Sequence, residues 1–170
     1  MKSQYLWPIP AAIMLWANPA FADTLTQSAH VPHTGHLEVP SVVTKIHPSM
    51  VFVQPAYGLQ FRTLSAIKAE RIGLSDLKVG EMLTLVVDEG NILIDAHKPD
   101  APRHGHRLII GDLHYADQSW QEIQLATPEG TARFDVDSLA GSKLSVLQEG
   151  SPVEVELDEA NVVIDFHRVR

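Results

Sequence analysis

The sequence predicts an all-β fold in which one small unit is built twice. Three observations predict it. First, residues 80–97 read GEMLTLVVDEGNILIDAH and residues 150–167 read GSPVEVELDEANVVIDFH, at a constant offset of 70. Extended back to Leu74 and Leu144, the alignment spans 24 positions. Ten are identical: Leu74, Ser75, Leu77, Gly80, Asp88, Glu89, Asn91, Ile94, Asp95 and His97, each matched 70 residues on. Self-similarity at a fixed period marks a repeated structural unit. Second, the alternation in the later copy is sharp. Val153, Val155 and Leu157 face one way and Glu154 and Glu156 the other, the mark of a half-buried strand. Third, the remaining apolar runs are short and bounded by turn residues, with no sustained helical period.

The N-terminus reads as an export signal. Lys2 gives a positive start, residues 5–16 are apolar apart from two prolines, and Ala20-Phe21-Ala22 forms a small-residue cleavage site before Asp23. The run is too short and too proline-broken for a spanning helix. No other stretch is long and apolar enough, so the expected product carries no integral membrane segment and is periplasmic or secreted. Removing 22 of 170 residues leaves 148, enough for two small domains. Loss of Lys2 takes the formal charge from −8 to −9. Such a surface does not seek nucleic acid. Its partner, if it has one, is an envelope protein the sequence does not identify. The chain has no cysteine, so no disulfide reinforces its core.

Residues 23–38 lack a periodic apolar pattern and read as a flexible, histidine-bearing arm. The first unit spans 39–98. Val42, Val43, Thr44 and Ile46 favour a strand, Pro48 and Ser49 turn the chain, and 50–54 form a second strand. A return strand over 59–64 places Leu59, Phe61 and Thr63 on one face. Residues 65–72 fit a helical turn or a short strand. Residues 82–87 and 92–96 then make a hairpin through Asp88-Glu89-Gly90-Asn91. Asp bonds its own backbone in such a turn and Asn accepts a positive φ. Met82 and Val86 lie on the outer face of that hairpin, where they can meet the other unit. Residues 99–106, with Pro99 just outside the preceding strand, Pro102 and Gly105, form a short linker, and the second unit spans 107–170. Its opening, 108–114, matches 42–47 over 109–114 at an offset of 67, which implies a three-residue insertion further on. Strands over 120–126 and 131–136, a connector over 138–141 and a second hairpin complete it. Four or five short strands in about 60 residues suggest a small closed or partly closed barrel, OB-like or SH3-like, because closure removes exposed strand edges.

The first unit resembles the small periplasmic copper- and silver-binding barrel domains of cation efflux systems. The resemblance rests on VVTKIH at 42–47, MVFVQPAYGLQFRTL at 50–64 and LSDLKVGEMLTLVVDEGNILID at 74–95. It covers about 55 residues of each unit, the second more loosely. It implies a barrel in an efflux accessory. The family's Cu(I) ligands, a His, a stacked Trp and a close Met pair, do not carry over: Tyr57-Gly58-Leu59-Gln60-Phe61 stands in their place, and Trp120 has no neighbouring methionine.

Nine histidines carry the remaining chemistry. His30, His33 and His36 follow at i, i+3 and i+6 in the arm, where Pro32 and Gly35 oppose a helix. His47 and His114 match between units, as do His97 and His167. In a closed barrel the first and last strands are neighbours, so each unit can bring two imidazoles together with Asp95 or Asp165 as third ligand or orienting acceptor. Two imidazoles and a carboxylate suit zinc or copper(II). The same histidines also fit plain strand ends. His104 and His106 in the linker can join either site. Asp88-Glu89 and Asp158-Glu159 read as solvated turns. No Ser-His-Asp set, His-Glu-x-x-His or phosphate loop is present. The expectation is a non-enzymatic periplasmic binding or accessory protein that holds a divalent metal through histidines. The alternative is a structural or protein-interaction module without metal.

Overall fold

The structure, a computed structural model, describes residues 35–58, 60–102 and 104–169. The leader over 1–22, the arm up to residue 34, and with it His30 and His33, lie outside the described residues. The first repeat comprises β1 (Leu37–His47), β2 (Met50–Pro55), β3 (Arg62–Ser65), α1 (Ala66–Arg71), β4 (Met82–Val87) and β5 (Leu93–His97). The second comprises β6 (Arg107–Asp117), β7 (Glu122–Thr127), β8 (Gly130–Asp135), a 3₁₀ segment (Ala140–Val146), β9 (Pro152–Leu157) and β10 (Val163–Arg168). The fold is all-β in class, with two short helical pieces. β1 begins at Leu37, two residues inside the stretch that reads as arm.

Each repeat is one five-stranded antiparallel sheet. The orders β3-β2-β1-β4-β5 and β8-β7-β6-β9-β10 are the same order. The long first strand is central in both. Its first half pairs with the fourth strand, its second half with the second, and a register shift falls between Val43 and Lys45 and between Leu113 and Tyr115. A parallel bridge from Val136 to Val163 adds a contact between the outer strands of the second repeat.

The ladders fix the true repeat. Leu37 opposes Val87 as Arg107 opposes Leu157, and Val43 opposes Val53 as Leu113 opposes Leu125. The offset is therefore 70 through the first strand, not 67. His114 corresponds to Thr44, and His47 to Asp117. The two-residue β1–β2 turn becomes four residues between β6 and β7. The following loop is two residues shorter, since Val53 opposes Arg62 while Leu125 opposes Ala132. The offset rises to 72 in β7 and returns to 70 by β8.

One face of each sheet gathers on its own core. Val43, Val53, Leu64, Leu83 and Leu85 centre the first, and Leu113, Ile123, Leu125, Val155 and Leu157 the second. Leu85 and Val155 hold equivalent positions, opposite Val39 and Ile109. Residues 65–72 resolve as a helix: Ser65 caps α1 by accepting from the Lys68 N–H at 3.1 Å. Several local expectations change. Leu64 is the buried residue of β3, whereas Phe61 and Thr63 are exposed. Trp120 is an exposed turn residue ahead of β7, not a strand residue. The connector after β8 is the 3₁₀ segment. Met82 faces solvent rather than the other repeat. Both hairpin turns behave as the sequence indicates, with Asn91 at φ 62° and Asn161 at φ 61°. Among the described residues no helix is long and apolar enough to cross a membrane.

Leu85→Ala removes a fully buried side chain and is expected to cost about 2–5 kcal/mol in urea unfolding. Gly111→Ala should also destabilise, by about 1–3 kcal/mol, because its Cβ would stand 2.8 Å from the Ala126 carbonyl oxygen.

Candidate metal centre

The last strand of each repeat carries an irregularity that prepares a carboxylate. The register shifts between Val86 and Val87 on β4, opposite Leu93–Asp95, and between Val163 and Asp165 on β10. Beyond the shift, the Asp95 Oδ1 accepts the Ala96 N–H at 2.8 Å and the Asp165 Oδ1 accepts the Phe166 N–H at 2.7 Å. One oxygen of each aspartate is thus fixed by its own backbone, and Oδ2 remains for other partners. Asp95 and Asp165 are 4% and 1% exposed, so their charge needs compensation inside the protein.

The compensation crosses between repeats. Gly35-His36 precedes β1 and Gly105-His106 precedes β6, again 70 apart. His36 reaches Asp165 on β10 of the second repeat, with Nε2 3.4 Å from Oδ2. His106 reaches Asp95 on β5 of the first, with Nε2 3.2 Å from Oδ2. Lys143, in the 3₁₀ segment, pairs with Asp165 in its own repeat and with Asp88 of the other at 2.5 Å. Arg71 on α1 binds Asp158, the repeat partner of Asp88, at 2.6 Å. The turn aspartates are therefore buried ion-pair partners between the repeats, not solvated ends.

Four donors converge at this seam: His36, Glu156, Asp165 and His167 each offer an atom within 4.8 Å of the others. The His36 Nε2 lies 3.4 Å from the Glu156 Oε2 and 3.4 Å from the Asp165 Oδ2. The His167 Nε2 lies 3.4 Å and 3.5 Å from the same two oxygens. These spacings are long for N–H···O hydrogen bonds, which peak near 2.9–3.0 Å. They match four of the six edges, about 3.3–3.5 Å, of a tetrahedron around a zinc ion bound at about 2.0–2.1 Å. The Asp165 Oδ2 is buried and accepts no hydrogen bond among the described residues. Its neighbours are the two imidazole nitrogens at 3.4 Å and 3.5 Å, an arrangement that fits a cation between them.

His106 orients this set from behind. Its Nδ1 lies 2.6 Å from the Glu156 Oε1, leaving Oε2 for the centre, while Nε2 faces Asp95. A carboxylate on each ring nitrogen requires both to donate, so the ring is an imidazolium. Burial opposes that charge, but the hydrogen bonds His106 donates to Asp95 and Glu156 win and push it up to about 9. Burial likewise opposes the charge of Glu156, yet hydrogen bonds from His106 and His167 hold its carboxyl down at about 2. Burial opposes His167, which Glu156 and Asp165 nonetheless raise above the ordinary imidazole value. Asp165 is buried too, and His36 and Lys143 hold it below the usual carboxylate range. Asp88, Asp95, Glu156 and Asp165 stand against Lys143 and His106, so two carboxylates are in excess of these two cations. A divalent cation balances them.

The repeat-related position is one ligand short. His106, Asp95 and His97 stand 70 residues before or after His36, Asp165 and His167, but Val86 replaces Glu156. There Asp95 is occupied by His106 and by the His104 Nδ1 at 2.9 Å. His97 is buried and its Nδ1 meets the Lys98 carbonyl at 3.0 Å.

The expected strand-end pairs are not formed. His97 lies opposite Thr84, and Thr84 opposite Pro40, seven residues along β1 from His47. That is roughly 20 Å of strand. His47 is exposed and touches the Ser49 Oγ at 3.1 Å. His114 is exposed, four residues along β6 from Ile110, which shares Glu154 with His167. The first strand pairs with the fourth rather than the last, and this keeps both away from the centre. Of the expected residues, His36, Asp165 and His167 come together, Asp95 stands behind His106, and His97 lies apart. Glu156 is new: strand alternation turns it outward, and the outward face of β9 is the seam. The signal that finds the rest is the Gly-His pair at 35–36 and 105–106 when the offset of 70 is kept. No protein-family model matches the chain, and no curated protein matches it.

The metal-free protein should show a stability optimum near pH 5–6. The raised His106 contributes fully below 6.5 and loses its contribution as pH rises through about 9. The depressed Glu156 contributes above 4.5 and loses its contribution as pH falls through about 2. Thermal unfolding in chelator from pH 6.5 to 9 should record a loss of roughly 2–3 kcal/mol. His106→Gln should flatten that limb.

Proposed function

We propose that this is an exported, non-enzymatic binding protein that holds one divalent transition-metal ion between its two repeats. The ligands are His36, Glu156, Asp165 and His167. The observation that carries the reading is the set of four spacings of 3.4–3.5 Å between two imidazole nitrogens and the buried Glu156 Oε2 and Asp165 Oδ2. Two imidazoles and two carboxylates are borderline-to-hard donors, and spacings of 3.4–3.5 Å suit tetrahedral zinc better than tetragonal copper(II). The export-signal pattern at 1–22 supports a periplasmic or secreted location. We read each repeat as a small OB-like or SH3-like barrel, an accessory of the efflux-associated kind with a different ligand chemistry. Its cargo on this reading is a divalent ion rather than Cu(I), since the four donors are imidazoles and carboxylates and none is sulfur. Exposed Tyr57, Phe61 and Met82 favour a second reading, a docking module without metal.

Zinc titration against a competing chromophoric chelator tests the proposal. The mature protein should bind one equivalent with sub-micromolar affinity at pH 7.5. His36→Ala and His167→Ala should each weaken it by more than about tenfold, ~1.4 kcal/mol. His106→Gln should weaken it by about 10–100-fold through the misplaced Glu156. His47→Ala and His114→Ala should leave it unchanged. Affinity should fall as pH drops from 7.5 to 5.5, because the ligating imidazoles must be neutral and protons compete for them. Wild-type protein that binds no zinc under these conditions removes the proposal in favour of the docking module.

A further inference from the structure

We infer that the ion in this centre is an inter-repeat staple, so that its loading sets how firmly the two sheets hold each other. This rests on the metal reading above and goes beyond it. The donors come from opposite sides of the seam. His36 is tied to the first repeat: Leu37 is already in β1 opposite Val87, and the Gly35 backbone lies against the Glu89 side chain. Glu156, Asp165 and His167 belong to β9 and β10 of the second repeat. An ion bound by all four closes a bridge between the repeats.

The rest of the seam makes that bridge consequential. The two apolar cores are separate clusters, and Leu139 is the second-repeat residue packed against the first. β5 and β10 touch across the seam, each carrying a buried isoleucine outside both clusters, Ile94 and Ile164, and ion pairs flank that contact. Arg71 meets Asp158 at 2.6 Å and Asp137 at 2.5 Å, Lys68 meets Asp137 at 3.3 Å, and Lys143 meets Asp88 at 2.5 Å. Buried ion pairs roughly offset their own desolvation, so they set the geometry of a seam more than they strengthen it. Polar contacts between units of one chain permit relative motion by default. Metal binding, in contrast, adds its free energy to whatever arrangement brings the ligands together. Ion and seam are then linked, and linkage is reciprocal: loosening the seam at a distance must weaken the ion by the factor that the ion tightens the seam.

Two measurements on the full mature chain, with zinc alone as the probe, test this. Backbone hydrogen exchange is compared with zinc and with chelator, and zinc affinity is compared between wild type and Arg71→Gln, which touches no ligand. A staple predicts that zinc slows the amides of 37–39, 98, 100–101 and 104–106 by at least about fivefold while the β7 core amides stay unchanged, and that Arg71→Gln binds zinc at least about threefold more weakly. Zinc binding with unmoved exchange at the seam and an unaltered Arg71→Gln affinity overturns the staple and leaves the metal site standing. Failure of the wild type to bind zinc removes both. If Arg71→Gln does not fold, the wild-type exchange comparison decides alone.

Discussion

Burying an aspartate on the last strand of each repeat is the constraint on which the seam depends. An ionised carboxylate removed from water must be met by charge or by a metal. Asp95 and Asp165 are each held by the next backbone N–H, and that fixes where the remaining oxygen sits. The histidine that precedes each repeat's first strand then crosses to the other repeat's aspartate. The repeats thereby exchange histidine partners, and Lys143 joins Asp165 from within its own repeat. The turn aspartates repeat the pattern, with Lys143 on Asp88 and Arg71 on Asp158.

Near-symmetry followed by one substitution explains why a single centre stands out. Both halves supply a histidine before the first strand, an aspartate and a second histidine. Glu156 against Val86 separates them. The extra carboxylate gives the second repeat's position a fourth donor and a net negative charge. Its absence leaves the first repeat's position to close on itself through His104, His106 and Asp95. His106 belongs to both, donating to Asp95 and Glu156, so the two halves of the seam are electrically one network.

The architecture was largely legible. The repeat, the hairpins, their Asp-x-x-Asn turns and the inward aliphatic face follow from local pattern, which short strands record well. The site was legible only in part. Asp165, His167 and His36 stood out as residue types, but their partners are set by strand order. Pairing His47 with His97 assumed that first and last strands adjoin, whereas β1 lies between β2 and β4. The offset of 67 matched apolar residues across a bulge, where alternation slips by one and the wrong alignment looks plausible. Glu156 was hidden for another reason. Alternation separates core from non-core faces, and it does not say whether the non-core face meets water or a second copy of the same unit.

X-ray absorption at the zinc edge of the loaded protein tests the central claim most directly. The account predicts four light-atom ligands at about 2.0–2.1 Å with the outer-shell scattering of two imidazoles. That scattering should fall to one imidazole in His167→Ala. A spectrum of hydrated zinc, or an imidazole count that His36→Ala and His167→Ala leave unchanged, would contradict a centre built between the repeats.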